Sequence, residues 1–237
     1  MSVSDRGRKS GAAKPVSDRV RVRRKADRAD YDQATVYSIL DRALICHVGF
    51  LVEDQPYVIP TIHIREGNVL YLHGHKKNRA LNTMGTGVPV CVEATIIDAM
   101  MFGRSCFMNA LNYSSVVALG HARLVEDEEE RWKVARLVVE RMLPEQRIPH
   151  LRELADYEVK QTTFIAFPLD ECSAKIRKGP GLDEERDLAN EIWAGELPLR
   201  MVGDVPVPEE HVKPGTSVPE HVTSWPDRWD WGRGISS

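Results

Sequence analysis

The stretch 71–84, YLHGHKKNRALNTM, carries the residue types of this chain best suited to chemistry. A strand-like run ends in His73-Gly74-His75 and delivers Lys76, Lys77, Asn78 and Arg79 to the start of a short helix. Unpaired backbone N–H groups and cationic side chains can there converge on the same oxygens. A nucleotide monophosphate suits such a corner. A solvated basic turn is the alternative, since no glycine-rich cradle accompanies it. His63, His73, His75 and Cys91 invite a metal, but a metal site needs three or four convergent ligands and no ligand spacing is matched. Histidines packed around a cofactor, or exposed at a strand end, account for them as well. No GxSxG places a nucleophile beside a base, and no GxGxxG marks a dinucleotide. Any redox chemistry must therefore come from a cofactor.

The chain around this corner is 237 residues long and 42% hydrophobic, enough for one substantial core. A formal net charge of -3 gives no electrostatic reason to expect nucleic acid as partner. The four cysteines, Cys46, Cys91, Cys106 and Cys172, form no CxxC pair and suit free thiols in a reducing compartment. No run approaches the roughly 18 to 20 apolar residues of a membrane helix. Arg23-Arg24 is followed by a polar stretch where an export signal needs an apolar one, so a cytoplasmic location is expected.

Residues 1–30 hold ten Lys/Arg against four Asp and no Glu, with few large apolar side chains. That composition predicts a loose basic arm. Residues 31–203 are expected to be the domain. Residues 204–237, with five prolines and Trp225, Trp229 and Trp231, read as an extended tail that either docks on a surface or stays free.

Within the domain, Asp32 can cap a helix bearing Val36, Ile39 and Leu40 on one face. Residues 43–52 (ALICHVGFLV) read as a mostly buried strand. In 57–65, Val58, Pro60, Ile62 and Ile64 alternate with Tyr57, Ile59, Thr61 and His63. Further strands are expected at 69–74, 88–97, 114–125, 160–169 and 173–178. Asp127 with Glu130 forms a capping box before the stripe Trp132, Ala135, Val139 and Met142. Shorter helices are expected near 149–157 and 183–193. Strands joined by short turns predict a mainly β, antiparallel barrel or sandwich rather than a parallel α/β sheet.

The succession PYVIPTIHI, VLYLHGHKKNRAL, VPVCVEATIIDAMMFGRSCFMNALNYSSVVALGHARLVED, CSAKIRKGPGLDEERDL and IWAGELPLR resembles the pyridoxamine 5'-phosphate oxidase-related flavin-nucleotide-binding proteins, nitroimidazole-resistance-like reductases among them. The resemblance spans residues 31–200. It implies a homodimer of six-stranded split β-barrels with flanking helices and flavin mononucleotide (FMN) between the subunits. By that resemblance Pro60, Thr61, Ile62 and His63 line the isoalloxazine or ribityl chain, together with His73 and Gly74. Lys77, Asn78 and Arg79 take the phosphate. Asn112, Tyr113, Ser114 and Ser115 face the flavin, and Lys175, Arg177 and Trp193 approach it from the partner subunit. The resemblance further implies a flavin-dependent oxidoreductase receiving electrons from a reduced nicotinamide, with Tyr113 and His63 as positioning residues. The chain departs from the pyridoxine-phosphate oxidases proper, because 57–65 offers no cation before Arg65. The substrate therefore stays open. A deazaflavin coenzyme in place of FMN, or a non-catalytic flavin or haem binder on the same fold, is the alternative.

Overall fold

The structure, a computed structural model, describes residues 13–225. The part of the N-terminal arm it describes is held against the core. The strand β1 (Ala29–Asp30) pairs with Ala174 and Lys175, Val20 is buried, and Ser17 and Arg19 donate to the Glu171 carboxylate at 3.1 and 2.6–2.9 Å. The expected loose arm is thus corrected for residues 13–30, which touch the core through the β1–β9 pairing, buried Val20 and the Glu171 carboxylate. Residues 1–12 lie outside the described residues.

Asp32 accepts the Ala34 N–H at 3.1 Å and caps α1 (Gln33–Arg42), whose Val36, Ile39 and Leu40 are buried. The strands β2 (Ile45–Val52), β3 (Gln55–Glu66) and β4 (Val69–His75) form a meander that ends in α2 (Arg79–Met84). Two long strands follow, β5 (Pro89–Phe102) and β6 (Ala110–His121), then the short β7 (Arg123–Leu124) and α3 (Glu128–Met142). After α4 (Asp156–Lys160) come β8 (Thr162–Pro168), β9 (Glu171–Arg177), β10 (Gly195–Pro198) and α5 (Glu220–Thr223).

These strands make one antiparallel sheet in the order β1-β9-β6-β5-β2-β3-β4-β8-β7, with β10 on the end of β5. The fold is the expected split β-barrel, but the sheet has ten strands rather than six. Three of the ten, β1, β7 and β10, are only two to four residues long. Gly120 lets β6 approach β8, since a Cβ there would meet the Phe167 ring at 3.3 Å.

Alternation sorts the wall into two faces. Inside, Val48, Leu70, Leu72, Val92, Val116 and Phe167 close on α1. Outside, α3 sets Val134 and Ala135 against Ile64, Tyr71, Phe164 and Ala166 of β3, β4 and β8. The helices thus cover one half of the outer wall and leave β2, β5 and the first part of β3 open. For that reason β2 is not the mostly buried strand expected. Cys46, Val48 and Phe50 point inward, while Ile45, His47 and Leu51 are exposed.

Asp127 caps α3 by accepting the Glu130 N–H at 2.8 Å. The expected capping box is only half made. The Glu130 carboxylate instead receives Arg123 at 2.6 and 2.9 Å and the Tyr71 hydroxyl at 3.0 Å, tying α3 to the sheet. Asp127→Ala should therefore cost about 1 kcal/mol. A calorimetric melting temperature lowered by roughly 2 to 4 °C checks it.

The helix expected near 149–157 is a 3-10 turn, Glu145–His150, followed by α4. The one expected at 183–193 is a single 3-10 turn, Glu185–Asp187. Asp183 cannot cap a helix there, because its carboxylate accepts both the backbone and a guanidinium N–H of Arg104 at 2.8 Å. The tail beyond 204 forms no element before α5, and Trp225 lies against the Glu145–His150 turn. Residues 226–237 lie outside the described residues.

Candidate functional site

At the corner singled out by sequence, β4 runs through His73, Gly74 and His75 and turns sharply. The Asn78 N–H donates to the His75 carbonyl at 2.7 Å, and the Lys76 N–H to the Gln161 carbonyl at 2.8 Å. Asn78 caps α2, its side chain accepting the Leu81 N–H at 3.2 Å. Its oxygen is committed to the helix, which leaves Lys76, Lys77 and Arg79 as the groups able to meet an anion. All three are exposed, and among the described residues none is ion-paired with a carboxylate. The Arg79 guanidinium lies 5.2 Å from the centre of the Tyr57 ring, which stacks on Phe50. Gly74 sits close to α2, since a Cβ would stand 2.9 Å from Leu81 Cδ1.

Tyr57 lies on the inner side of β3, paired with Phe50, while its neighbour Val58 faces the open half of the outer wall. There Ile45, Leu51, Val58 and Ile97 are 41 to 68% exposed, on the same side as His47, Pro60 and Thr95. His47 Nδ1 lies 3.5 Å from Glu93. These exposed apolar side chains on neighbouring strands make one continuous apolar surface.

The remaining expected residues divide. Pro60 and Ile62 face outward, whereas Thr61 and His63 fall on the inner side. His63 is fully buried, and its Nε2 donates to the Leu40 carbonyl of α1 at 2.8 Å. The alternation of β3 turns its side chain into the core. Burial holds its pKa down at about 4. His73 is partly buried, its Nδ1 without a partner, and burial lowers its pKa too.

Asn112 and Ser114, expected at the flavin, likewise turn inward. Asn112 donates to the Gly179 carbonyl at 3.2 Å and to Glu196 at 3.1 Å, and accepts from Arg177. Ser114 donates to Asp98 at 2.9 Å. Both side chains are spent on joining β6 to β5, β9 and β10. Tyr113 and Ser115 alternate to the other face, Ser115 donating to the Lys175 carbonyl at 3.2 Å. Trp193 is 68% exposed and rests on Phe102 of the same chain.

Sequence reasoning missed His47 and its apolar neighbours. The signal was present, since a histidine between Cys46 and Val48 breaks the apolar run in step with strand alternation. Cys46 and Cys172 are thiols that burial pushes up to about 12. Among the described residues no group of three His, Cys, Asp or Glu could hold a metal, and no helix is long and apolar enough to cross a membrane.

Residues 32–176 match the family described as pyridoxamine 5'-phosphate oxidase. The chain belongs to that family. Among solved structures, the flavocytochrome Anf3 from Azotobacter vinelandii is 33% identical over 87% of this chain and 95% of its own, with a TM-score of 0.79. The FAD and heme binding protein from Mycobacterium smegmatis is 26% identical over 82% and 95%, with a TM-score of 0.76. A 5-nitroimidazole antibiotic resistance protein from Bacteroides thetaiotaomicron shares the fold at 20% identity, covering 62% of this chain and 86% of its own, with a TM-score of 0.53. No curated protein matches. In family terms, the matched segment contains the cationic corner and the whole open face.

Proposed function

We propose that this chain is a flavin-dependent redox protein that holds its cofactor between the cationic corner and the open sheet face, a second copy closing the other side. The observation carrying this reading is that Lys76, Lys77 and Arg79 lie exposed, without carboxylate partners among the described residues, on a chain whose outer wall is apolar and uncovered over one half. Lys77 and Arg79 neutralise the phosphate, Arg79 being preset by the Tyr57 ring. Ile45, Val58 and Ile97 exclude water from the ring system. A bound flavin supplies transfer of electrons from a reduced nicotinamide, or another donor, to an acceptor. FAD is favoured over the FMN expected from sequence, because the M. smegmatis relative that matches most of this chain is named for FAD.

A haem beside the flavin is a second reading, favoured by the names of both relatives. His63 does not fit an iron, being buried and bound to Leu40. Two exposed histidines remain near the proposed site. His47 has Nδ1 towards Glu93, which leaves Nε2 outward, as metal-binding imidazoles require. His75 accepts the Lys77 N–H on Nδ1 at 3.2 Å, a bond that ligation would break.

The test is the purified protein itself. An absorbance band near about 450 nm, bleached by NADH or NADPH, is expected, and the mass of the extracted ligand separates FAD, FMN and a deazaflavin. A Soret band marks haem, and its loss in His47→Ala or His75→Ala assigns the ligand. Protein that takes up no flavin in excess overturns the proposal. The closing copy is checked by sedimentation, where twice 26.8 kDa is expected. Val58→Asp, placing a charge where the wall is 68% exposed, should shift the protein to monomer and lower its flavin content together.

A further inference from the structure

Residues 19–28, RVRVRRKADR, hold six cations, Arg19, Arg21, Arg23, Arg24, Lys25 and Arg28, in a chain whose formal net charge is -3. A charge run of this kind is commonly a loose, solvated face. This one is anchored at both ends. Val20 is buried, the Val22 N–H donates to the Tyr31 hydroxyl at 2.9 Å, and β1 ties the residues that follow to Ala174 and Lys175 at the edge of the sheet. Between these anchors Arg21, Arg23, Arg24 and Lys25 are exposed. Lys25 stands at φ 57° and ψ 53°, the left-handed region that a lysine rarely adopts, and the Arg28 N–H closes this turn on the Lys25 carbonyl at 3.0 Å. Carboxylates are too few to neutralise the segment. Asp18 serves Arg21 and Arg23 together, at 3.0 and 2.5 Å, and Glu171 takes Arg19. Arg24, Lys25 and Arg28 form no ion pair among the described residues, nor does Lys175, the partner of Ala29 in the β1–β9 pairing.

We infer that this segment docks the acidic face of a partner protein, whose carboxylates meet Arg24, Lys25 and Arg28. Because its backbone is already tied down, a partner does not have to order it on binding. At a Debye length of about 8 Å the negative charge elsewhere on the chain does not cancel the local excess of cations. Guanidinium forks match carboxylates, and the segment already shows that pairing, since Nε and Nη2 of Arg19 both donate to Glu171 Oε2, at 2.9 and 2.6 Å. Nucleic acid fits less well. A continuous row of phosphates would also meet the exposed Asp18 and Asp27, whereas a protein face can set its own cations opposite those two.

The probe is a fluorescent peptide alternating Glu and Ser, with an oligothymidylate of equal charge as its rival, each titrated into the full chain at low salt and followed by anisotropy. Saturable binding of the peptide is expected, and Arg24→Glu with Lys25→Glu should weaken it at least about tenfold. Lys160→Glu with Lys213→Glu makes the same change in net charge outside the segment and should leave the affinity within about twofold. Carbodiimide coupling of peptide carboxylates to protein amines, mapped by mass spectrometry on the wild type, is a second readout that needs no variant. Lys25 is expected to be the principal site of coupling. Coupling mainly at Lys76 and Lys77 overturns the proposal, as do equal losses of affinity in the two variants or no binding of the peptide. Tighter binding of the oligothymidylate than of the peptide overturns it too, and makes the segment a nucleic-acid site.

Discussion

Lys77→Ala combined with Arg79→Ala is expected to weaken flavin retention by roughly 30- to 900-fold, if each side chain makes a charge-assisted bond to the phosphate. The two cations are exposed in the free chain, so removing them leaves no buried partner stranded, and the fold should be unchanged. Salt separates the contributions. The wild-type affinity should fall with ionic strength, and the double variant should lose most of that dependence. Arg79→Lys keeps the charge but loses the planar fork over Tyr57, so it should fall between the two. Equilibrium titration with FAD and with FMN, followed by flavin fluorescence, gives the numbers. Retention unchanged in the double variant would remove the corner from the site even if flavin binds elsewhere on the wall.

Acid should destabilise the protein through His63 well above the pH at which carboxylates titrate. The folded protein holds this imidazole neutral, with a pKa of about 4 against the ordinary 6.5. Desolvation is the largest cause and Arg141 adds to it, while the Leu40 carbonyl and Asp41 act the other way. Between pH 6.5 and 4 the unfolded chain binds a proton that the folded chain refuses. The stability is complete above about 6.5 and drains away towards pH 4, by an amount on the order of 3 kcal/mol. His63→Gln keeps a donor for the Leu40 carbonyl and cannot titrate, so its urea midpoint should be nearly flat over that interval. An equal slope in wild type and variant would show that His63 is not held neutral.

Both predictions rest on features that differ in how far they were legible beforehand. Period-two alternation in 57–65 placed Tyr57, Ile59, Thr61 and His63 on one face and Val58, Pro60, Ile62 and Ile64 on the other, and the structure keeps that division. Alternation does not say which face a barrel turns inward. The sequence therefore left open that the His63 side chain is turned into the core. The same limit hid the inward bonds of Asn112 and Ser114, whose partners Glu196, Gly179 and Asp98 lie 16 to 84 residues away.

Local chemistry was the part of this protein that sequence alone determined. The Asp32, Asn78 and Asp127 caps, the strand-to-helix corner and the family itself depend on short segments whose backbone groups satisfy one another nearby. Only the tertiary structure decided what those segments face. Glu130 left its capping box for Arg123 and Tyr71, Asp183 was taken by Arg104, and the arm at 13–30 was anchored by Glu171. In each case a charged group was claimed by an arginine that chain folding brings near, and charge-assisted bonds to a guanidinium outweigh a single bond to a local backbone N–H.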